Sequence, residues 1–96
     1  MPKYLIKASY TDDGVRRLMV DGGTKRRTVI KEIIESMGGT VEAFYFAFGK
    51  HDAFIIADVP DVATGLTISL SVNASGFVRI ATIPLITPEE VDAATK

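Results

Sequence analysis

The chain has 96 residues, of which 47% are hydrophobic, with 11 basic and 12 acidic side chains, one histidine and no cysteine. Residues 1–96 therefore read as one domain with enough apolar material for a core. The near-neutral balance argues against a nucleic-acid binder, the missing cysteines exclude disulfides, thiol catalysis and iron–sulfur clusters, and a lone histidine argues against a metal site.

The opening segment "MPKYLIKASY" lacks a charged stretch followed by an apolar run, so it does not read as a signal peptide. No segment approaches the length of a membrane span. The expected setting is a reducing cytoplasm, with no cofactor and no membrane partner implied. Lys3 to Tyr10 predicts a first strand with Tyr4, Ile6, Ala8 and Tyr10 on one face. Thr11 then caps a helix with acids in its first turn. Asp21-Gly22-Gly23 interrupts it, since two interior glycines cost about 2 kcal/mol against alanine. From Thr24 a second helical stripe runs through Val29, Ile30, Ile33, Ile34 and Met37, and one glycine of Gly38–Gly39 suits the left-handed position after its end.

Thr40 to Phe48 and His51 to Val59 are rich in strand formers. Only Gly49 and Lys50 separate them, which predicts a two-residue II′ hairpin with Gly49 at positive φ. Val62 to Ala74 fits both a strand and a helix period; a helix is chosen because it connects the hairpin to a last strand in Ser75 to Ile86. Thr87 to Glu90 forms a capping box with Pro88 at the first helical position of a short terminal helix. The order β-α-β-β-α-β is that of an α+β, ferredoxin-like fold, a four-stranded antiparallel sheet with helices on one face.

Both faces of that sheet read as apolar. Phe44, Phe46 and Phe48 oppose Val41, Ala43, Tyr45 and Ala47; Ala53, Ile55 and Ala57 oppose Phe54 and Ile56; Phe77, Ala81, Ile83 and Leu85 oppose Val78 and Ile80. Helices cover one face only, and the other is more apolar surface than a monomer usually exposes. A second copy packed sheet to sheet, as a homodimer or a larger assembly of dimers, is the expected cover. The competing arrangement is a monomer whose tail folds over the sheet.

With these pieces in order, "TDDG" after the first strand, "GG" before the second, Tyr45, Gly49 and Asp52 around the hairpin, Pro60–Asp61 after it and "GFVRIAT" opening the last strand, the chain resembles the GYD domain family over nearly its whole length. The resemblance implies membership of the dimeric α/β-barrel superfamily, which holds cofactor-independent monooxygenases, ligand-sensing domains and isomerase-like enzymes. The tyrosine of the family's Gly-x-Tyr-Asp signature is His51 here, so a ligand contact through a phenol at that position is not carried over.

Candidate site residues follow. Asp52 can serve as a base or acceptor at a cavity mouth, or can bond turn amides as aspartates commonly do. His51 can serve as a general acid or base, or can be a strand-end residue packed on phenylalanine. Strand alternation separates the two unless a bulge intervenes, placing Tyr45 diagonal to Asp52 and His51 with Phe46 and Phe48. Arg79, the one charge in an apolar strand, can hold a ligand carboxylate or phosphate, or pair with Asp52, Asp58 or Glu42. Thr24, Lys25, Arg26 and Arg27 at a helix start can bind an anion or form a solvated patch. The resulting expectation is a small-molecule-binding protein or cofactor-independent enzyme. Its apolar or anionic ligand would lie between sheet and helices, with Tyr45, Asp52 and Arg79 as polar contacts. The alternative is a non-enzymatic assembly or ligand-sensing module.

Overall fold

The computed structural model describes residues 1–96. Eight elements follow one another: β1 (Lys3–Tyr10), α1 (Asp12–Asp21), α2 (Gly23–Ser36), β2 (Thr40–Phe46), β3 (Ala53–Asp58), α3 (Val62–Ala74), β4 (Val78–Leu85) and α4 (Pro88–Thr95). The strands form one antiparallel sheet in the order β2-β3-β1-β4. Setting aside the α1–α2 break and the terminal helix, this is the expected ferredoxin-like α+β arrangement. No helix is long and apolar enough to cross a membrane.

Local chemistry explains the helix boundaries. Thr11 accepts from the Gly14 amide and caps α1. The expected break is a single residue: Gly22, at φ 82° and ψ 165°, ends α1 and starts α2 in backbone that only glycine adopts readily. Gly38, at φ 84°, follows α2 in the expected left-handed position. The ambiguous segment is helical, as connectivity required. Its strand-like alternation arises because α3 is apolar all round: Ile68 is buried against the sheet while Val62, Leu66 and Leu70 face outward, exposed.

The hairpin departs from expectation. β2 stops at Phe46 and β3 starts at Ala53, leaving six residues, 47–52, outside the ladder. The register itself holds, because Tyr45 pairs with Phe54, Phe46 with Ala53, and the Ala47 amide still donates to the Asp52 carbonyl at 2.8 Å. What fails is the turn. Gly49 is not at positive φ, so it does not supply a II′ corner, and Phe48 at the tip is 93% exposed. The last strand likewise begins at Val78, after Gly76 turns the chain at φ 81°.

The core lies on the helix side of the sheet. Tyr4, Ile6 and Ala8 of β1 meet Ala53, Ile55 and Ala57 of β3, Val78 of β4, Ile34 of α2 and Ile68 of α3. Only 13 of 96 residues are buried, so much of the 47% apolar content stays at the surface. The opposite face carries Leu5, Ala43, Tyr45, Phe54, Ile56, Ala81, Ile83 and Leu85, none of them buried. A bulge at Glu42 keeps its carboxylate on this face, where Lys3 bonds both Glu42 and Asp58. α4 does not fold over this surface: none of its residues is buried and it makes no extensive packing with any other element. The radius of gyration is 14.2 Å, larger than the roughly 12–13 Å of a compact chain of this length.

Candidate functional site

A cavity of about 40 Å³ lies between the sheet and the helices α2 and α3. Twelve of its thirteen lining residues are hydrophobic; Ile30, Ile33 and Ile34 form its α2 wall and Ile6, Phe44 and Ile55 its floor. The exception is Arg26, which joins Tyr10 at this wall. The two meet because Tyr10 is the last inward residue of β1, and Arg26 stands one turn before Ile30 on the inward stripe of α2.

The electrostatics of this pair have a clear sense. Burial pushes the Tyr10 phenol above its ordinary range, the positive charge of Arg26 opposes that, and the Asp52 charge adds a further upward push. Tyr10 therefore keeps its proton. Arg26 is largely shielded from solvent, with its nearest carboxylate oxygen, Asp21 Oδ2, at 3.8 Å. That separation is too long for a tight bidentate pair and leaves the guanidinium donors free to turn towards an anion.

Asp52 sits beside this pair without lining the cavity. Its Oδ2 accepts from the Tyr10 amide at 2.8 Å, and its own amide donates to the Ala8 carbonyl at 2.7 Å. The carboxylate thus stands in for a backbone carbonyl where the ladder to β1 ends. His51 turns to the other face, with Nδ1 3.3 Å from Ser9 Oγ and its ring edge-on to Phe54 at 5.9 Å. The expectation that His51 shares a face with Phe46 and Phe48 is therefore corrected. The irregular chain through residues 47–52 breaks the alternation on which it rested. His51 and Asp52 have separate partners and form no dyad.

Tyr45 and Arg79 also lie on the outer face. Tyr45 is 71% exposed opposite Phe54, and Arg79 is exposed opposite Ser9 with no ion pair to Asp52, Asp58 or Glu42. Neither lines the cavity.

The cluster Thr24 to Arg27 is split by the first turn of α2. Lys25 and Arg26 flank Asp21 at 3.5 and 3.8 Å, Arg27 and Thr24 border a shallow groove against Phe44 and Phe46, and only Arg26 reaches the cavity. Asp21, just before the helix start, explains why bases are tolerated there: it supplies the negative charge that the helix dipole favours. Tyr10 was missed as a site residue, although its place at the end of an inward-facing series, Tyr4, Ile6, Ala8, Tyr10, was a usable signal. In the sequence Arg26 reads only as one of the three charges of the cluster Thr24 to Arg27. Its spacing to Ile30, Ile33, Ile34 and Met37 was the signal that it turns inward.

Comparison with known proteins gives one match. The family model described as "GYD domain" matches residues 4–95. No curated protein and no solved structure matches the chain.

Proposed function

The chain belongs to the GYD domain family, and from that premise we propose that it is a small-molecule-binding protein whose ligand is a small apolar anion. The ligand's apolar body lies under α2, and its carboxylate or phosphate is held by Arg26 and the protonated Tyr10. The observation that carries this reading is a shielded, loosely paired arginine beside a neutral phenol at the wall of an otherwise apolar cavity. No third titratable side chain lines the cavity, so binding rather than turnover is the function assigned. The ligand enters by outward movement of α2 about Gly22, because a cavity of about 40 Å³ admits only a water-sized occupant. A second copy covers the outer sheet face, and the working unit is a homodimer.

Calorimetry with octanoate, benzoate and phenyl phosphate, against octanol and benzyl alcohol, tests the ligand class. The anions should bind and the alcohols should not. Arg26→Gln should weaken anion binding by about tenfold to a hundredfold, as expected for losing a charge-assisted pair. Binding of alcohols and acids alike, or of neither, would remove Arg26 from this role.

One observation favours a second reading. The cavity is far below the roughly 300–1,000 Å³ of ordinary ligand sites. In a non-enzymatic assembly module the inner apolar surfaces only pack, and α2 never opens. Hydrogen exchange along α2 separates the readings: octanoate should protect the amides of residues 26–34 in a binding protein and leave them unchanged in a packing module.

A further inference from the structure

We propose that the outer sheet face carries a second anion site, in which Arg79, Lys7 and His51 hold the phosphate monoester group of a soluble small molecule and Ser9 orients His51. The site lies within one chain and depends neither on the Arg26 cavity nor on a second copy.

The register brings these residues together from three segments. Ser9 of β1 stands directly opposite Arg79 of β4, at the roughly 4.5–5.5 Å that separates such side chains. Lys7 precedes Ser9 by two residues on the same face, since Tyr4, Ile6 and Ala8 take the buried one. Lys7 is therefore diagonal to Arg79, about 7–8 Å away, so that one small anion between them is within reach of both long side chains. His51 arrives from the hairpin, with Nδ1 3.3 Å from Ser9 Oγ. Its ring is set by that contact and by Phe54, which it meets edge-on at 5.9 Å and which pairs with Lys7.

The local bonds leave donors over and no acceptor to take them. The Ser9 hydroxyl donates to the Lys50 carbonyl at 3.3 Å, so its oxygen accepts from His51 Nδ1. Nε2 of the ring has no partner in the protein and is a free donor when the imidazole is charged. Neither Lys7 nor Arg79 has an ion-pair partner. The acids are held elsewhere. Asp52, next to His51 in the chain, accepts from the Tyr10 amide. Glu42 and Asp58 are bonded by Lys3, which lies roughly 20 Å before Ser9 along β1. Cations grouped without a carboxylate favour an anion. A carboxylate offers them two oxygens; a phosphate monoester offers three, one each for the Arg79 fork, the Lys7 ammonium and the His51 ring. A second copy laid on this face would enclose the cations, and the same dianion then offsets the cost of burying them unpaired.

The probe is inorganic phosphate, titrated into the full chain at constant ionic strength with acetate as the control, and amide correlation spectra report binding. The amides of Ser9, His51 and Arg79 should move saturably with phosphate and not with acetate. Arg79→Gln and Lys7→Gln should each raise the dissociation constant by about tenfold or more, and Lys31→Gln on the outside of α2 should leave it unchanged. Arg79 is exposed and unpaired, so its variant keeps the fold and decides alone should the Lys7 variant fail to fold. Phosphate that acts like acetate, or a dissociation constant that ignores Arg79→Gln, overturns the site. One that follows Arg26→Gln instead assigns the phosphate to the cavity and also overturns it. Co-sedimentation with phosphatidylcholine vesicles containing phosphatidic acid, without a response to free phosphate, would assign the group to a lipid and overturn the soluble ligand. Octanoate binding reads the cavity alone, so the two sites fail separately.

Discussion

Asp52 and Tyr10 are joined at the end of β1: the Tyr10 amide donates to Asp52 Oδ2 at 2.8 Å while the Asp52 amide donates to the Ala8 carbonyl at 2.7 Å. Together these bonds tie the irregular hairpin to the central strand. They hold Tyr10 in place where its ring meets the cavity. Asp52→Ala should cost about 1–3 kcal/mol, because it leaves a half-buried amide without an acceptor. Asp52→Asn, which keeps a carbonyl oxygen in the same place, should lose less. Urea unfolding of the two variants separates the acceptor from the charge; equal losses would mean that the charge, not the bond, fastens the hairpin.

Much of this is legible in the sequence alone. The inward series on β1, the break at Gly22 and the register of Tyr45 with Phe54 all follow from local periodicity and backbone chemistry. The hairpin did not, because strand-forming aromatics run on to Phe48 although that side chain is almost fully exposed. Propensity registers residue type, whereas the ladder ends where Asp52 replaces a backbone acceptor. The site was legible only in halves. Tyr10 and Arg26 lie on elements that meet through the packing of α2 on the sheet, a tertiary fact without a local signal. Tyr45 and Arg79 failed as cavity residues for the same reason: both faces of the sheet read as apolar, and alternation alone does not say which one the helices cover.

Gly14 and Gly65 should respond differently to alanine. A Cβ on Gly14 would stand 1.8 Å from the Phe77 carbonyl oxygen. That oxygen is fixed by donors from Thr11, its amide at 3.1 Å and its hydroxyl at 3.2 Å. A Cβ on Gly65 would meet only the Tyr4 ring, at 3.0 Å and beyond. Alanine gains about 1 kcal/mol of helix propensity at either site. At Gly14 the overpacking cost, roughly 1–3 kcal/mol or more, exceeds that gain and the variant is destabilised. At Gly65 a small ring shift offsets it and the variant is near neutral. Chemical unfolding midpoints check the pair, and a Gly14→Ala protein as stable as wild type would show that α1 slides off β4 at little cost.

The Tyr10 phenol offers a direct view of the cavity wall. Its pKa is raised above the ordinary 10.0, by burial first, against the opposing charge of Arg26. A raised folded value means that the group's contribution to stability is present below pH 10 or so and is lost as pH rises through the folded pKa. Phenolate absorbance should therefore show a late-titrating component that disappears in Tyr10→Phe. In Arg26→Gln it should move later still, because the one cation favouring phenolate is gone. Movement to earlier pH would mean that Arg26 is not beside the ring in solution.

Asp61 governs the element whose own sequence is least decisive. α3 fits a strand period as well as a helical one, and its apolar residues surround it, so its start depends on the cap. Asp61 Oδ1 accepts from the Thr64 amide at 2.7 Å and the Thr64 hydroxyl at 2.8 Å. These bonds, the amide first, hold its carboxyl below the ordinary 3.8, with a slight opposing effect of burial. A depressed folded value contributes stability above the unfolded pKa and loses it as pH falls through the folded one. Asp61→Asn retains a capping oxygen without the titration. Wild type should therefore be the more stable of the two at about neutral pH, and the difference should shrink as pH falls below 3.8. Thermal melts across that range measure it. A difference that stays constant with pH would assign the effect to geometry alone, and the charge on Asp61 would then have no part in starting α3.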